Sequence, residues 1–314
     1  MSKVSFVITV YNKAPFLPHV AAALAMQRGN FDREFIFVND GSTDASPALL
    51  RRLTSGWSNV HIVDQENAGP SAAFNAGLRR ATGDFIKPLD GDDVLTPWAT
   101  RCLIDAIEAS GRPVAYATRQ ETYDLAISPD HVLGAVTARN GGVERHDDML
   151  RRSLRRPQTN PTSWLARADL VQRIGGCDPR IFIQDYSIEL RLAKAGGFAH
   201  MDERIFLSPL TREGRLSQNE AQTLHDVNLA LAHFLGDHPD IPLKQRRYAF
   251  ARAAGRASAW ARRRAGKGVL SADFVRYVGA RSGILTPSFD NCRATCRVFA
   301  ETNKIRCATA CPGL

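Results

Sequence analysis

Four short apolar runs punctuate the first ninety residues, and three of them stop at a polar cluster. Val4–Val10 runs into Tyr11-Asn12-Lys13, Glu34–Asn39 into Asp40-Gly41-Ser42, and Asp84–Leu89 into Asp90-Gly91-Asp92-Asp93, while Val60–Asp64 makes the fourth. Between them lie segments with helical spacing. Pro15 to about Gln27 carries Phe16, Leu17, Val20, Ala21, Leu24 and Ala25 on one face. Thr43 or Asp44 is placed to cap a helix through Leu53, and Ser71–Ala81 reads as a helix with Gly83 as its left-handed stop. Regular strand–helix alternation predicts an α/β fold, a doubly wound and mostly parallel sheet flanked by helices. Ligands of such sheets sit beyond the carboxyl ends of the strands, so the three polar clusters are expected to converge on one edge.

The 314 residues suffice for one large domain or a domain with a smaller appendage. Apolar content of 44% and charged content of 23% exclude disordered and collagen-like classes. Val4–Val10 is too short for the apolar core of a signal peptide, and no apolar run is long enough for a membrane span, so a cytoplasmic protein is expected.

The middle third is less regular. Cys102–Ala109 reads as a helix, Val114–Thr118 and Thr162–Ala166 as strands, and Tyr186–Ala195 as a helix ended by Gly196-Gly197. Beyond Glu220 the pattern is helical, at about Ala221–Leu235, Leu243–Ala265 and Ala272–Arg281. The expected division is a domain over residues 1–217, with halves 1–100 and 101–217, and a basic helical region over 218–314.

The acids at the end of the fourth run carry the first chemical signal. Asp90 and Asp92, two apart on an extended turn, present carboxylates to one side. Hard oxygen ligands of this kind suit Mg²⁺ or Mn²⁺, and three clustered acids repel one another without a cation. The plainer alternative is a solvated turn before the helix begun by Thr96-Pro97. At the second run, Asp40 is placed to accept from a nucleobase imide or ribose hydroxyl, and Gly41 lets the backbone approach closely. A simple turn with a helix cap would use the same residues.

Four stretches in order resemble inverting glycosyltransferase family 2, of the bacterial soluble type with the GT-A fold. They are Val7–Asn12, Phe37–Asp44, Glu66–Gly77 and Asp84–Asp93. The resemblance implies a nucleotide-diphosphate sugar donor whose base is held by Tyr11 and Asp40. Thr9, Asn12, Asn67, Ser71 and Asn75 would complete the donor pocket. Asp90 and Gly91 would lie near the ribose or the metal, and the metal ligands would come from Asp90, Asp92 and Asp93.

Further along, Thr162–Arg167, Gly175–Asp178 and Gln184–Leu192 resemble the family's acceptor side, where a carboxylate opening a helix is the catalytic base. The matching residue is Asp185, a helix cap being the alternative. Gln184 stands where many members carry Glu. A positioned carboxylate there removes the acceptor hydroxyl's proton as it attacks. The segment Thr211–Ser217 resembles one that closes over the donor, with Arg212 or Arg215 facing the diphosphate. The Gln-x-x-Arg-Trp motif of processive polysaccharide synthases is absent, so a single addition with inversion is implied, on a glycan or lipid-linked acceptor.

The net charge of +9 is unevenly distributed. From Asp240 onward there are 15 Lys/Arg and 4 Asp/Glu, which leaves the preceding residues at −2. Arg246, Arg247, Arg252, Arg256 and Arg262–Arg264 on predicted helices fit an anionic membrane surface, at the inner face of the membrane, or simply a solvated face. Electrostatic nucleic-acid binding would use the same charge, but no recognised binding signature accompanies it. Cys292, Cys296, Cys307 and Cys311 form two Cys-x3-Cys pairs, which open the choice between structural Zn²⁺, disulfides and free thiols. Two rival functions are a sugar nucleotidyltransferase, disfavoured because Tyr11–Pro15 is no Gly-rich phosphate loop, and an inactive nucleotide-sugar-binding scaffold.

Overall fold

The structure, a computed structural model, describes residues 1–138, 141–211 and 216–308. The first four runs form β1 (Lys3–Val10), β2 (Asp32–Asp40), β3 (Val60–Gln65) and β4 (Phe85–Asp90). Between them stand α1 (Leu17–Ala25), α2 (Ser46–Leu53) and α3 (Pro70–Leu78). Each of these helices has proline in its first two positions (Pro18, Pro47, Pro70), where a missing N–H costs no helical bond. The chain continues through β5 (Val94–Leu95), α4 (Ala99–Ser110), β6 (Val114–Tyr123), α5 (Pro129–Gly134), β7 (Val143–His146) and α6 (Met149–Arg155). Then follow β8 (Trp164–Arg167), α7 (Ala168–Arg173), α8 (Gln184–Ala195) and β9 (Phe198–Pro209).

Among the described residues nine strands form one sheet in the order β3-β2-β1-β4-β8-β6-β9-β5, with β7 added against β9. The pairs of β1 with β2 and β4, and of β2 with β3, are parallel. Beyond β4 the sheet is mixed. β8 pairs antiparallel with β4 and β6, whereas β6 and β9 run parallel. Alternate residues of the inner strands feed two cores. Phe6, Ile8, Phe35 and Phe37 pack with Leu17, Val20, Leu103 and Ile107 on one face. Val7, Ile36 and Val38 pack with Phe74, Ile188 and Leu192 on the other.

The last part of the chain is helical, in α9 (Glu220–Asp237), α10 (Leu243–Arg263), α11 (Ala272–Ser282), α12 (Phe289–Arg293) and α13 (Arg297–Thr302). These helices share a core with the rest of the protein. Leu154 of α6 and Tyr186 and Leu190 of α8 lie in one apolar cluster with Leu231, Phe250, Cys292 and Cys296. No helix among the described residues is long and apolar enough to cross a membrane.

Three local expectations change. Gly83 is not the left-handed stop of α3, which ends at Leu78. It is glycine because β1 passes close by, and an added Cβ would meet Lys3 O and Ser5 N at 2.8 Å. Neither Thr43 nor Asp44 is the cap residue of α2, although Asp44 Oδ1 accepts from Ser46 N at 2.9 Å. The strand β9 was not legible, since Asp202, Glu203 and Arg204 interrupt its apolar run.

Candidate active site

The order of the sheet reverses at β1, which lies between β2 and β4, so the loops that follow these parallel strands gather at one end of the sheet around the switch point, where ligands of such folds sit. Register brings the polar ends together: Thr9 pairs with Asp90, and Val10 with Asn39. Gly91 N donates to Thr9 O at 3.0 Å, an approach that leaves no room for a Cβ. Asn12 takes a left-handed conformation (φ 51°). Its Oδ1 accepts from Thr43 N at 2.8 Å, and its N–H donates to Ser42 Oγ at 3.0 Å. The loops after β1 and β2 are therefore tied into one unit, with Tyr11 39% exposed at its rim.

Asp40 is buried at the end of β2. Its carboxylate accepts from Gln65 Nε2 (2.7 Å), Ala68 N (2.9 Å) and Gly69 N (2.9 Å), and Asn67 Nδ2 donates to its carbonyl at 2.8 Å. Asp40 thus organises the turn from β3 into α3. Gly69 has φ 93°, and an added Cβ would meet the Phe182 ring at 2.5 Å, so this turn packs directly against the segment leading into α8.

The acids at the end of β4 each meet different partners. Asp90 Oδ1 accepts from Gln184 Nε2 at 3.1 Å. Asp92 Oδ2 lies 2.6 Å from Lys13 Nζ, an ion pair that is almost fully buried on the acid's side. Asp93 points inward and accepts from Thr162 Oγ1 and Ser208 Oγ, both at 2.6 Å. Burial, then repulsion from Asp93, Asp185 and Asp92, raises the Asp90 carboxyl well above its ordinary range. Behind the turn, the fully buried Lys87 donates to Thr162 O (2.6 Å) and Pro88 O (2.9 Å). Burial lowers its ammonium to about 7 against the pull of Asp93 and Asp90.

Asp185 opens α8 opposite these acids. Burial, with Glu189 and Asp93 adding repulsion, pushes its carboxyl up to about 7, while a backbone N–H at the helix start opposes the rise. The approach to α8 is held from α9: Asp226 Oδ2 accepts from Ile183 N at 2.9 Å. One turn into α8, the buried Glu189 accepts from Gln158 N, Thr159 N and Thr159 Oγ1 at 2.8–3.0 Å, which fixes the loop before β8. Two acid groups of different environment therefore face one crevice. One set is bridged to Gln184, Lys13, Thr162 and Ser208; the other is the Asp185 carboxyl, raised to about 7 among neighbouring acids.

With this geometry in place, the similarities to known proteins become informative. The description "Glycosyl transferase family 2" matches residues 5–159. Residues 5–159 belong to this family. Among curated proteins, succinoglycan biosynthesis protein ExoO of Rhizobium meliloti is 34% identical over 112 residues, 36% of this chain and 32% of that protein. An undecaprenyl-phosphate 4-deoxy-4-formamido-L-arabinose transferase of Pseudomonas aeruginosa is 33% identical over 153 residues, 46% of this chain and 44% of that protein. The chain thus matches less than half the length of these relatives. Among solved structures, S. aureus TarS 1–349 in complex with UDP-GlcNAc superposes with a TM-score of 0.55 at 16% identity, covering 98% of this chain and 93% of that one. The mannosyltransferase PcManGT of Pyrobaculum calidifontis, in complex with GDP-Man and Mn²⁺, gives 0.53 at 17% identity, covering 96% and 86%. The fold is of the GT-A type.

Within residues 5–159, Thr9, Tyr11, Asn12, Asp40, Asn67, Asp90, Gly91, Asp92 and Asp93 lie at the ends of β1, β2 and β4 or in the loops after β1, β3 and β4, and Asp185 lies beyond them at the start of α8. Asn75 serves a different contact: both ends of its amide pair with the backbone of Cys177, at 2.9 Å each, clamping α3 to the loop before α8. Ser71 is buried, and its Oγ has no hydrogen-bond partner. Arg212 and Arg215 lie outside the described residues.

The sequence reading missed Phe182, Lys87 and, most consequentially, Arg306. The backbone of Arg306 is pinned by Gln222 of α9, with N to Oε1 at 2.7 Å and Nε2 to O at 3.0 Å. Its guanidinium bonds Asn67 Oδ1 and lies 4.4 Å from the Phe182 ring and 5.9 Å from that of Tyr11. No motif marks it, because its position depends on the chain returning to the crevice after five helices. A lysine inside the apolar run of β4 was the available signal for Lys87.

The structure gives no support for zinc at the C-terminal cysteines. Cys292 and Cys296 are buried in the apolar core, Cys307 is exposed, and all three are free thiols. Burial pushes the Cys292 thiol up to about 12, which disfavours the thiolate a metal needs. Cys311 lies outside the described residues.

Proposed function

We propose that the protein is an inverting, metal-dependent glycosyltransferase that moves a sugar from a nucleotide-diphosphate donor to a hydroxyl of a glycan or lipid-linked saccharide. The observation that carries this reading is the convergence of three acids, with Asp90 and Asp92 at the β1/β4 switch point and Asp185 close to them at the start of α8. Family 2 membership and the relatives above supply the reaction class.

Asp90 and Asp92 fit a divalent cation. They are hard oxygen donors whose mutual repulsion is partly relieved by the Lys13 ammonium, the kind of deficit that Mn²⁺ or Mg²⁺ removes. Bound there, the ion would act as a Lewis acid toward the diphosphate. Asp93 is read as a positioning residue, because both its oxygens accept from Thr162 and Ser208.

The chain's own residues then have distinct tasks. Tyr11 offers a ring at the rim for the base, and Asp40 shapes the loop that carries Asn67. Arg306 brings a planar cation to the donor's mouth, matched to phosphate or to a stacked base. Asp185 takes the acceptor proton as its oxygen attacks the anomeric carbon, and the single displacement inverts that centre. Residues 1–217 form the transferase unit in this reading, and 218–314 brace α8 through Asp226 and deliver Arg306.

The basic face supports a membrane-proximal acceptor. A cleft of about 410 Å³ between α10 and α11 is lined by Arg252, Arg256, Arg262, Arg263 and Arg281 with Tyr248 and Phe274. Cations interleaved with aromatic rings fit an anionic lipid surface at the inner face of the membrane.

Calorimetric titration with UDP, GDP, dTDP and CMP, each with and without Mn²⁺, tests the donor site. Tight, Mn²⁺-dependent binding of one nucleotide that disappears in Asp92→Ala is expected. Absence of binding to all four would overturn the reading.

A further inference from the structure

Away from the crevice, at the β7 edge of the sheet, two histidines and a glutamate meet on one surface. Backbone register puts them there. Glu144 and His146 are two apart on β7 and so share a face, and Glu144 is paired directly with His200 of β9. On the other side of β9, Tyr116 of β6 pairs with His200. One candidate ligand atom from each of Glu144, His146 and His200 lies within 4.8 Å of the others.

The separations are informative. Glu144 Oε2 stands 3.4 Å from His146 Nε2 and 3.6 Å from His200 Nδ1. Charge-assisted hydrogen bonds close to about 2.7–2.9 Å, so these are loose contacts. They match the edge of a tetrahedron around an ion with bonds of about 2.0–2.1 Å, which is about 3.3 Å. The far nitrogens of both rings are already held. Tyr116 OH lies 2.8 Å from His146 Nδ1, and Thr118 Oγ1 lies 3.0 Å from His200 Nε2. The buried Nδ1 of His200 makes no hydrogen bond, and in the tautomer that donates Nε2–H to Thr118 it presents a lone pair. A lone pair facing a carboxylate oxygen is repulsive until a cation stands between them. Hydroxyls on the outer nitrogens are also what orient imidazoles in metal sites.

We propose that Glu144, His146 and His200 form a second divalent-metal site, selective for Zn²⁺ or a similar borderline ion, that fastens the edge strand β7 to β9. The two-nitrogen, one-carboxylate set suits Zn²⁺ over Mg²⁺ or Ca²⁺. Glu144, the one exposed ligand, closes over the ion from solvent, and the fourth position stays open to water. One imidazole tilts from the present stack, in which the rings are parallel within 8° at 5.1 Å, to converge on the ion. Arg152, whose charge bears on His146, is paired with Asp148 at 2.7 Å.

The site is independent of the donor crevice, and its test keeps the two apart. Co²⁺ and Zn²⁺ are titrated into the full-length protein and into Asp92→Asn, Glu144→Gln, His146→Gln and Tyr116→Phe. The expected result is one equivalent of Co²⁺ with the strong visible absorption of four-coordinate geometry, displaced by Zn²⁺ and retained in Asp92→Asn. It should vanish in His146→Gln, weaken in Glu144→Gln, and bind about tenfold less tightly in Tyr116→Phe. Glu144 is exposed, so its variant remains folded and a smaller Zn²⁺-induced rise in Tm than in the wild type reads the weakened site directly. A wild-type protein without the band, a band unchanged in His146→Gln, or one lost in Asp92→Asn would overturn the proposal.

Discussion

Gln184 Nε2 donates to Asp90 Oδ1 across 3.1 Å and so joins the start of α8 to the end of β4. Many family 2 members carry Glu at this position, which would face Asp90 with a like charge. Here a neutral amide ties α8, which carries the proposed base Asp185, to the acid cluster without adding repulsion. Gln184→Glu should therefore lose about 1–3 kcal/mol of stability in the metal-free protein, while its affinity for Mn²⁺ rises because the cluster gains a charge. Denaturant unfolding without metal and Mn²⁺ calorimetry read the two effects separately.

Lys13 stands on Asp92 at 2.6 Å, where a divalent cation would have to displace it. Lys13→Met should bind Mn²⁺ more tightly than the wild type in the absence of nucleotide. Asp92→Asn should lower kcat/KM by at least about 10²-fold, since the Lewis acid's contribution is several kcal/mol. Steady-state kinetics over a Mn²⁺ series would show whether the two substitutions move the metal requirement in these opposite directions.

The raised carboxyl of Asp185 sets a pH profile. A base must be ionised to accept a proton, so with a value of about 7 the carboxylate is depleted below neutrality and kcat/KM falls about tenfold per pH unit there. Above that point the profile levels off. Asp93, Asp90 and Glu189 face this group, and a cation on Asp90 and Asp92 pulls the midpoint lower. Raising Mn²⁺ should accordingly shift the acid limb to lower pH. Asp185→Asn should abolish turnover while leaving nucleotide affinity near that of the wild type, as measured by calorimetry.

Arg306 reaches the crevice from the far end of the described chain and bonds Asn67. If it contacts the donor, Arg306→Ala weakens nucleotide binding by about tenfold, the scale of one charged hydrogen bond. Tighter binding in the variant would instead make Arg306 an occupant that the donor expels.

The relation between sequence and structure differs sharply along the chain. Through residue 100, apolar runs buried on both faces and polar strand ends carry the fold directly, because parallel strands and their crossover helices are set by local pattern. The bounds of β1 to β4 and the meeting of Tyr11, Asp40 and Asp90 at one edge were legible for that reason. Asp185 was legible only through the family resemblance, since a carboxylate opening a helix is also an ordinary cap.

What the sequence alone could not determine depends on contacts made at long separation. Asp40, read as a ligand of the base, hydrogen-bonds the loop from Gln65 to Gly69, and only the packing of β3 beside β2 brings that loop to it. Asn75, read as part of the donor pocket, bonds the backbone of Cys177, 102 residues away. Arg306 lies in a tail without periodicity, and its place follows from the reciprocal pairing with Gln222. Local pattern fixes which residues alternate and where a strand ends. Which distant side chain then faces that end is decided by tertiary packing, because hydrogen-bond geometry between distant segments leaves no trace in the spacing of either one.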